Sequence, residues 1–116
     1  MAAGTYDMVC EQGATFQRSL VWQDETESPI NLTGYSARMQ VRPSIKSTEV
    51  VTELTTANGR IVLYPLLGKI ELNLTAVQTA ALAAKQCVYD LELVSGSGFV
   101  TRLLQGAFTI TPEVTR

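Results

Sequence analysis

CVYDLELVSGSGFVTRLLQGAFTITP, residues 87–112, reads as one long hairpin. Tyr89, Leu91 and Leu93 alternate with Asp90 and Glu92, the period of a strand with one face buried and the other in water. Ser95-Gly96-Ser97-Gly98 supplies the turn, since two glycines take positive φ at little steric cost. Beyond it the chain is apolar again from Phe99 to Ile110. The Leu103-Leu104 pair breaks strict alternation there and Gly106 follows, which predicts a bulge or a central strand covered on both faces. A hairpin of this length is not stable alone, so the preceding residues must supply partner strands and a second layer.

They carry the patterns to do so. Residues 1–5 read as a short arm, and Tyr6 to Cys10 begin to alternate as an edge strand. Glu11-Gln12-Gly13 turns the chain, and Thr15 to Trp22 put Phe16, Leu20 and Trp22 on one face and Gln17, Ser19 and Val21 on the other. Arg18 falls on the apolar side of that pattern, so its stem packs while its charge reaches the rim, or it pairs with a carboxylate. The acidic stretch Asp24–Pro29 is an exposed loop. Tyr35, Ala37, Met39 and Val41 then alternate with Ser36, Arg38, Gln40 and Arg42 in the clearest amphipathic strand of the chain. Pro43 ends it, and Val50, Val51 and Leu54 mark another short strand.

Asn58-Gly59 is a turn signal leading to Ile61-Val62-Leu63, and residues 65–68 make the next reversal. Ile70, Leu72 and Leu74 form one more alternating strand. Thr75 and Gln78 fit a capping box that opens an alanine-rich helix of two to three turns over residues 75–84, with Val77, Ala81 and Leu82 on one face. About eight strands and one short helix in a single domain, with a second arm at 112–116, predict an all-β, immunoglobulin-like antiparallel β-sandwich.

Composition narrows the class. The chain has 116 residues, enough for one hydrophobic core without staples; 46% are apolar and 17% charged, which excludes disorder. A net charge of −2 with scattered basic residues leaves no footprint for nucleic acid. No window approaches a membrane span, and the first residues lack the basic and apolar regions of an export signal. The expected compartment is therefore the host cytosol, unless the chain is assembled into something that leaves. Cys10 and Cys87 sit in different strands outside any metal-type spacing, and read as buried free thiols ahead of the alternative, a disulfide bridging the first strand to a late one.

No catalytic constellation emerges. The chain has no histidine, which removes the commonest general base and the commonest metal ligand. Glu25/Glu27 and Asp90/Glu92 are pairs of carboxylates, but glycosidase carboxylates come from separate elements and a calcium site needs six or more oxygens. Ser95–Gly98 lacks the strand-to-helix setting of a nucleophile elbow and the lysine of a phosphate loop. The expectation is a protein without enzymatic activity, metal or cofactor. Arg38, Gln40 and Arg42 lie on the outward face of one strand and Asp90 and Glu92 on that of another, so these residues, with Tyr6, are candidates for a subunit interface. The stronger route to association is through exposed strand edges, which invite pairing with another chain, and through the arms at either terminus, which can supply it.

GTYDMVCEQGATFQRSLVW (4–22), PINLTGYSARMQVRPS (29–44) and VYDLELVSGSGFVTRLLQGAFTITPEVTR (88–116) resemble a family of short proteins encoded among the structural genes of tailed bacteriophages. The middle motif is also similar to the immunoglobulin-like N-terminal domain of the upper baseplate proteins of some long-tailed phages. The resemblance implies a structural protein of the virion, assembled in the host cytoplasm, acting as a tail, baseplate or fibre-adaptor subunit. Its partners would be other virion proteins and further copies of itself, with neither nucleic acid nor membrane. A capsid decoration or neck protein is the alternative. A carbohydrate-binding module would need exposed aromatic rings, and only Tyr6, Tyr64 and Phe99 fall outside the expected core.

Overall fold

The computed structural model describes residues 3–115 and contains two packed sheets. Strands follow the order β1 (Gly4–Thr5), β2 (Met8–Glu11), β3 (Phe16–Val21), β4 (Ser36–Arg42), β5 (Thr52–Thr55), β6 (Ile61–Tyr64), β7 (Lys69–Leu74), β8 (Lys85–Val94) and β9 (Val100–Thr111). A single turn of 3-10 helix, Pro65–Leu67, joins β6 to β7, and α1 (Ala76–Ala80) joins β7 to β8. One sheet runs β1-β9-β8-β4-β5 with β2 continuing β1 along β9; the other runs β3-β7-β6. Counted from β3, these are the B, C, C′, D, E, F and G places of an immunoglobulin-like sandwich.

The β8–β9 hairpin is the spine of the larger sheet. Alternation along β8 buries Cys87, Tyr89, Leu91 and Leu93, and β4 answers with Ala37, Met39 and Val41 in register. Across the sandwich Phe16, Ile61, Ile70, Leu72 and Leu74 close the core from the second sheet. Phe108 lies at its centre, with its ring 5.5 Å from Phe16 and 6.4 Å from Tyr89. Trp22 and Tyr35 stack edge to face at 6.1 Å and seal one end. Gly68, at φ +59, lets the β6–β7 turn press under that end: a Cβ there would lie 2.8 Å from the Trp22 carbonyl oxygen.

Of the two readings open at Leu103-Leu104, a bulge or a strand covered on both faces, the bulge is present. Leu91 pairs with Leu104 but Glu92 with Arg102, so Leu103 is the extra residue. It resets the parity of β9, and both leucines pack against the core. The N-terminal residues depart from the expected all-antiparallel pairing. Both β1 and β2 run parallel to β9, so the larger sheet is mixed along that edge. Within the stretch read as an arm, Gly4 and Thr5 pair with Leu104 and Gln105. At the far end Glu113 donates its N–H to the Gln12 side chain, while Met1, Ala2 and Arg116 lie outside the described residues.

Between β1 and β2 the backbone is tied down at three points. Tyr6 donates its N–H to the Gln105 carbonyl, the Tyr89 hydroxyl donates to the Tyr6 carbonyl, and Asp7 Oδ1 accepts from the Ala107 N–H at 3.0 Å. Gly106 makes this crossing possible, because a Cβ there would sit 2.5 Å from the Tyr6 carbonyl oxygen. Burial, reinforced by the nearby Asp7 carboxylate, pushes the Tyr89 phenol up to about 12.

The helix is shorter than the expected 75–84. Its capping box is as read, with Thr75 and Gln78 each bonding the other's backbone N–H. Only residues 76–80 are helical, however, and Val77 is exposed instead of packed. The buried helix residue is Thr79, whose hydroxyl donates to the Ala14 carbonyl at 2.8 Å and accepts from the Gly13 N–H at 3.0 Å. The helix thus closes the end of the sandwich by hydrogen bonding to the β2–β3 turn. Among the described residues Arg18 takes no carboxylate: its guanidinium donates to the Val9 and Gln17 carbonyls and lies 4.7 Å from the Phe16 ring centroid. Cys10 and Cys87 are free and buried, as expected. They flank β9 on opposite sides, a span of about 10 Å that no disulfide bridges.

Candidate functional site

The strands that bury Leu91 and Met39 inward turn a polar surface outward. Five of the candidate interface residues meet there. Arg38, Gln40 and Arg42 on β4 and Asp90 and Glu92 on β8 line one shallow groove of about 840 Å³ across the outer face of β5, β4, β8 and β9. The register explains the meeting, since Arg38 stands opposite Glu92 and Gln40 opposite Asp90. The sixth candidate, Tyr6, lies elsewhere, beside Leu103, Leu104 and Trp22 in a cleft between β1 and β3.

The groove is laced by cross-strand contacts. Arg38 Nε lies 2.8 Å from Glu92 Oε1, and Arg102 Nε lies 3.6 Å from Asp90 Oδ2. Gln40 donates to Glu53 Oε2 at 2.8 Å and accepts from Arg42 at 2.7 Å, while Arg42 also donates to the Ser47 carbonyl. These pairs remain half in water, so each contributes less than about 1 kcal/mol to stability. They leave oxygens and N–H groups available to a partner: the Arg38 and Arg102 side chains are each 54% exposed.

Glu53, Arg102 and Gln105 also line the groove and were not singled out from sequence. Glu53 was findable, because it precedes the inward Leu54 and so must face out. Arg102 was hidden by the bulge. Among the described residues the groove's carboxylates are engaged by arginines and a glutamine, with no nucleophile and base set side by side. What it can do chemically is pair with a complementary charged surface.

Three further features stand on the surface. The strands β3 and β6 are the free edges of the smaller sheet, while β5 at the edge of the larger is capped, its Glu53 carbonyl accepting from Asn58 and Arg60 and its Thr55 N–H donating to Asn58. Leu66 and Phe99 project from the turns at one end, each more than 70% exposed. Tyr6, Tyr64 and Phe99 are exposed as expected, on three separate elements. Among the described residues no helix is long and apolar enough to cross a membrane.

No protein-family model matches the chain, and no curated protein matches it. Among solved structures it is similar to the N-terminal domain of phage TP901-1 ORF48, with a TM-score of 0.52. That likeness covers 91% of this chain and 85% of the other at 12% sequence identity, and so is a likeness of fold.

Proposed function

We propose that this chain is a non-enzymatic structural subunit of a bacteriophage virion, in the tail or baseplate or as a fibre adaptor. The observation that carries the reading is the fold shared with a phage protein domain over nearly the whole of both chains. The quoted sequence motifs, which resemble small phage structural proteins, point the same way. Function in such a subunit is geometric: surfaces dock on neighbouring subunits and closed symmetry multiplies each contact, with no turnover. The outer face of the larger sheet and the free edges are the surfaces offered.

Quantitative mass spectrometry of purified particles, referenced to the major capsid protein, tests this reading. A low copy number that fits the three- or six-fold symmetry of a tail is the expected result. A copy number near that of the capsid protein moves the subunit to decoration, and absence from the particle contradicts the reading.

A further inference from the structure

The outer face of the larger sheet carries its charges in rows along the strands. Arg38 and Arg42 make β4 positive and Asp90 and Glu92 make β8 negative, while β5 contributes one negative charge, Glu53, and β9 one positive charge, Arg102. Across the sheet the order is minus, plus, minus, plus. This sequence is antisymmetric about the line between β4 and β8. A two-fold axis along that line, lying in the contact plane, sets each row over the row of opposite sign: β4 over the β8 of a second copy, and β5 over its β9. An axis across the strands instead lays every row over its own kind. The pattern therefore selects both the partner and the orientation.

We infer that this face is an isologous contact between two copies of this chain, with the axis running along the strands between β4 and β8. The side chains stand where the contact needs them. Arg102 reaches toward Asp90 and Gln105, which share a register level with Gln40 and Glu53, so its guanidinium meets the Glu53 row of the other copy. Arg38 and Glu92 form one rung within each copy, and across the axis each meets its opposite again. Ile45, 87% exposed at the end of the groove, comes to lie over the low ground at Val88 and Gly106.

The contact is small. Four strands at about 4.8 Å spacing and seven residues at about 3.4 Å rise give a patch of roughly 450 Å² per copy, below the ~800 Å² per partner of a tight complex. The dimer is accordingly weak in dilute solution and strengthened wherever copies are held close together. This inference goes beyond the virion reading and does not depend on it, since the charge pattern is a property of the isolated chain.

Sedimentation equilibrium of the purified chain at sub-millimolar concentration in low salt is the test, run with Arg38→Glu, Glu92→Arg and their equimolar mixture. The wild type is expected to dimerise reversibly and to dissociate as salt is added. Each variant alone sets like charges across the axis and loses about tenfold or more in self-association. The mixture restores opposite charges at both crossings and recovers the dimer, which a change in folding alone would not produce. A second pair, Glu53→Arg and Arg102→Glu, is measured the same way, because those residues are not partners within one chain. A monomeric wild type, variants that self-associate like the wild type, or mixtures that behave as their separate components would each overturn the inference.

Discussion

Strands β4 and β8 have two faces that differ in nearly every physical respect. Inward, Ala37, Met39, Val41, Tyr89, Leu91 and Leu93 are almost wholly buried and interlock with the second sheet. Outward, one residue further along each strand, Arg38, Gln40, Asp90 and Glu92 make cross-strand contacts that stay wet. The inner face holds the fold, because each large side chain there removes apolar surface from water and leaves a cavity if it is cut back. The outer face contributes little to stability, so its residues are free to be arranged for recognition. The same period of two that makes the strand separates the two tasks.

The contrast is sharpest under substitution. Phe108→Ala empties the centre of the core and should cost about 3–5 kcal/mol, read by chemical denaturation. A loss under 1 kcal/mol would mean that the ring is not the keystone its contacts with Phe16 and Tyr89 make it. Gly106→Ala tests the crossing of the N-terminal segment. Its Cβ meets the Tyr6 carbonyl, so overpacking should cost about 1–3 kcal/mol, with faster amide exchange at Tyr6 and Ala107.

Tyr89→Phe removes one hydrogen bond from that crossing, leaves the Tyr6 carbonyl with one partner fewer, and should cost about 1 kcal/mol. In the wild type, ultraviolet titration should resolve one tyrosine ionising near 12, which Tyr89→Phe abolishes. The sign follows from the neutral phenol being the form the fold holds. Its stabilising effect is complete below pH ~10, the unfolded value, and is lost as pH rises through about 12. The smallest effect belongs to the outer face: Arg38→Ala should shift stability by less than about 1 kcal/mol.

Much of the fold was legible in the sequence, and the parts that were not share a cause. Alternation told which face of β4 and β8 is buried, the Leu103-Leu104 pair announced the bulge, and Thr75 with Gln78 announced the helix start. Alternation says which face a residue occupies but not which strand lies beside it. The parallel pairing of Met8–Glu11 with β9, a partner about a hundred positions away, therefore had no local signature. The register that sets Arg38 against Glu92 was hidden for the same reason, although both were correctly turned outward. Arg102 escaped notice because the bulge shifts the parity of β9 by one residue. The helix was overextended because alanine propensity favours a longer run, whereas the chain spends residues 81–84 returning to β8.

With the chain read as a virion subunit, as proposed above, the division of labour between the two faces is tested most directly by the copy number of Arg38→Glu chains in purified particles, measured beside the thermal stability of the same variant. The account predicts a chain that melts within a few degrees of the wild type yet is incorporated at a small fraction of the wild-type level. Incorporation at the full wild-type level would contradict it, since the particle would then be built without the outer face.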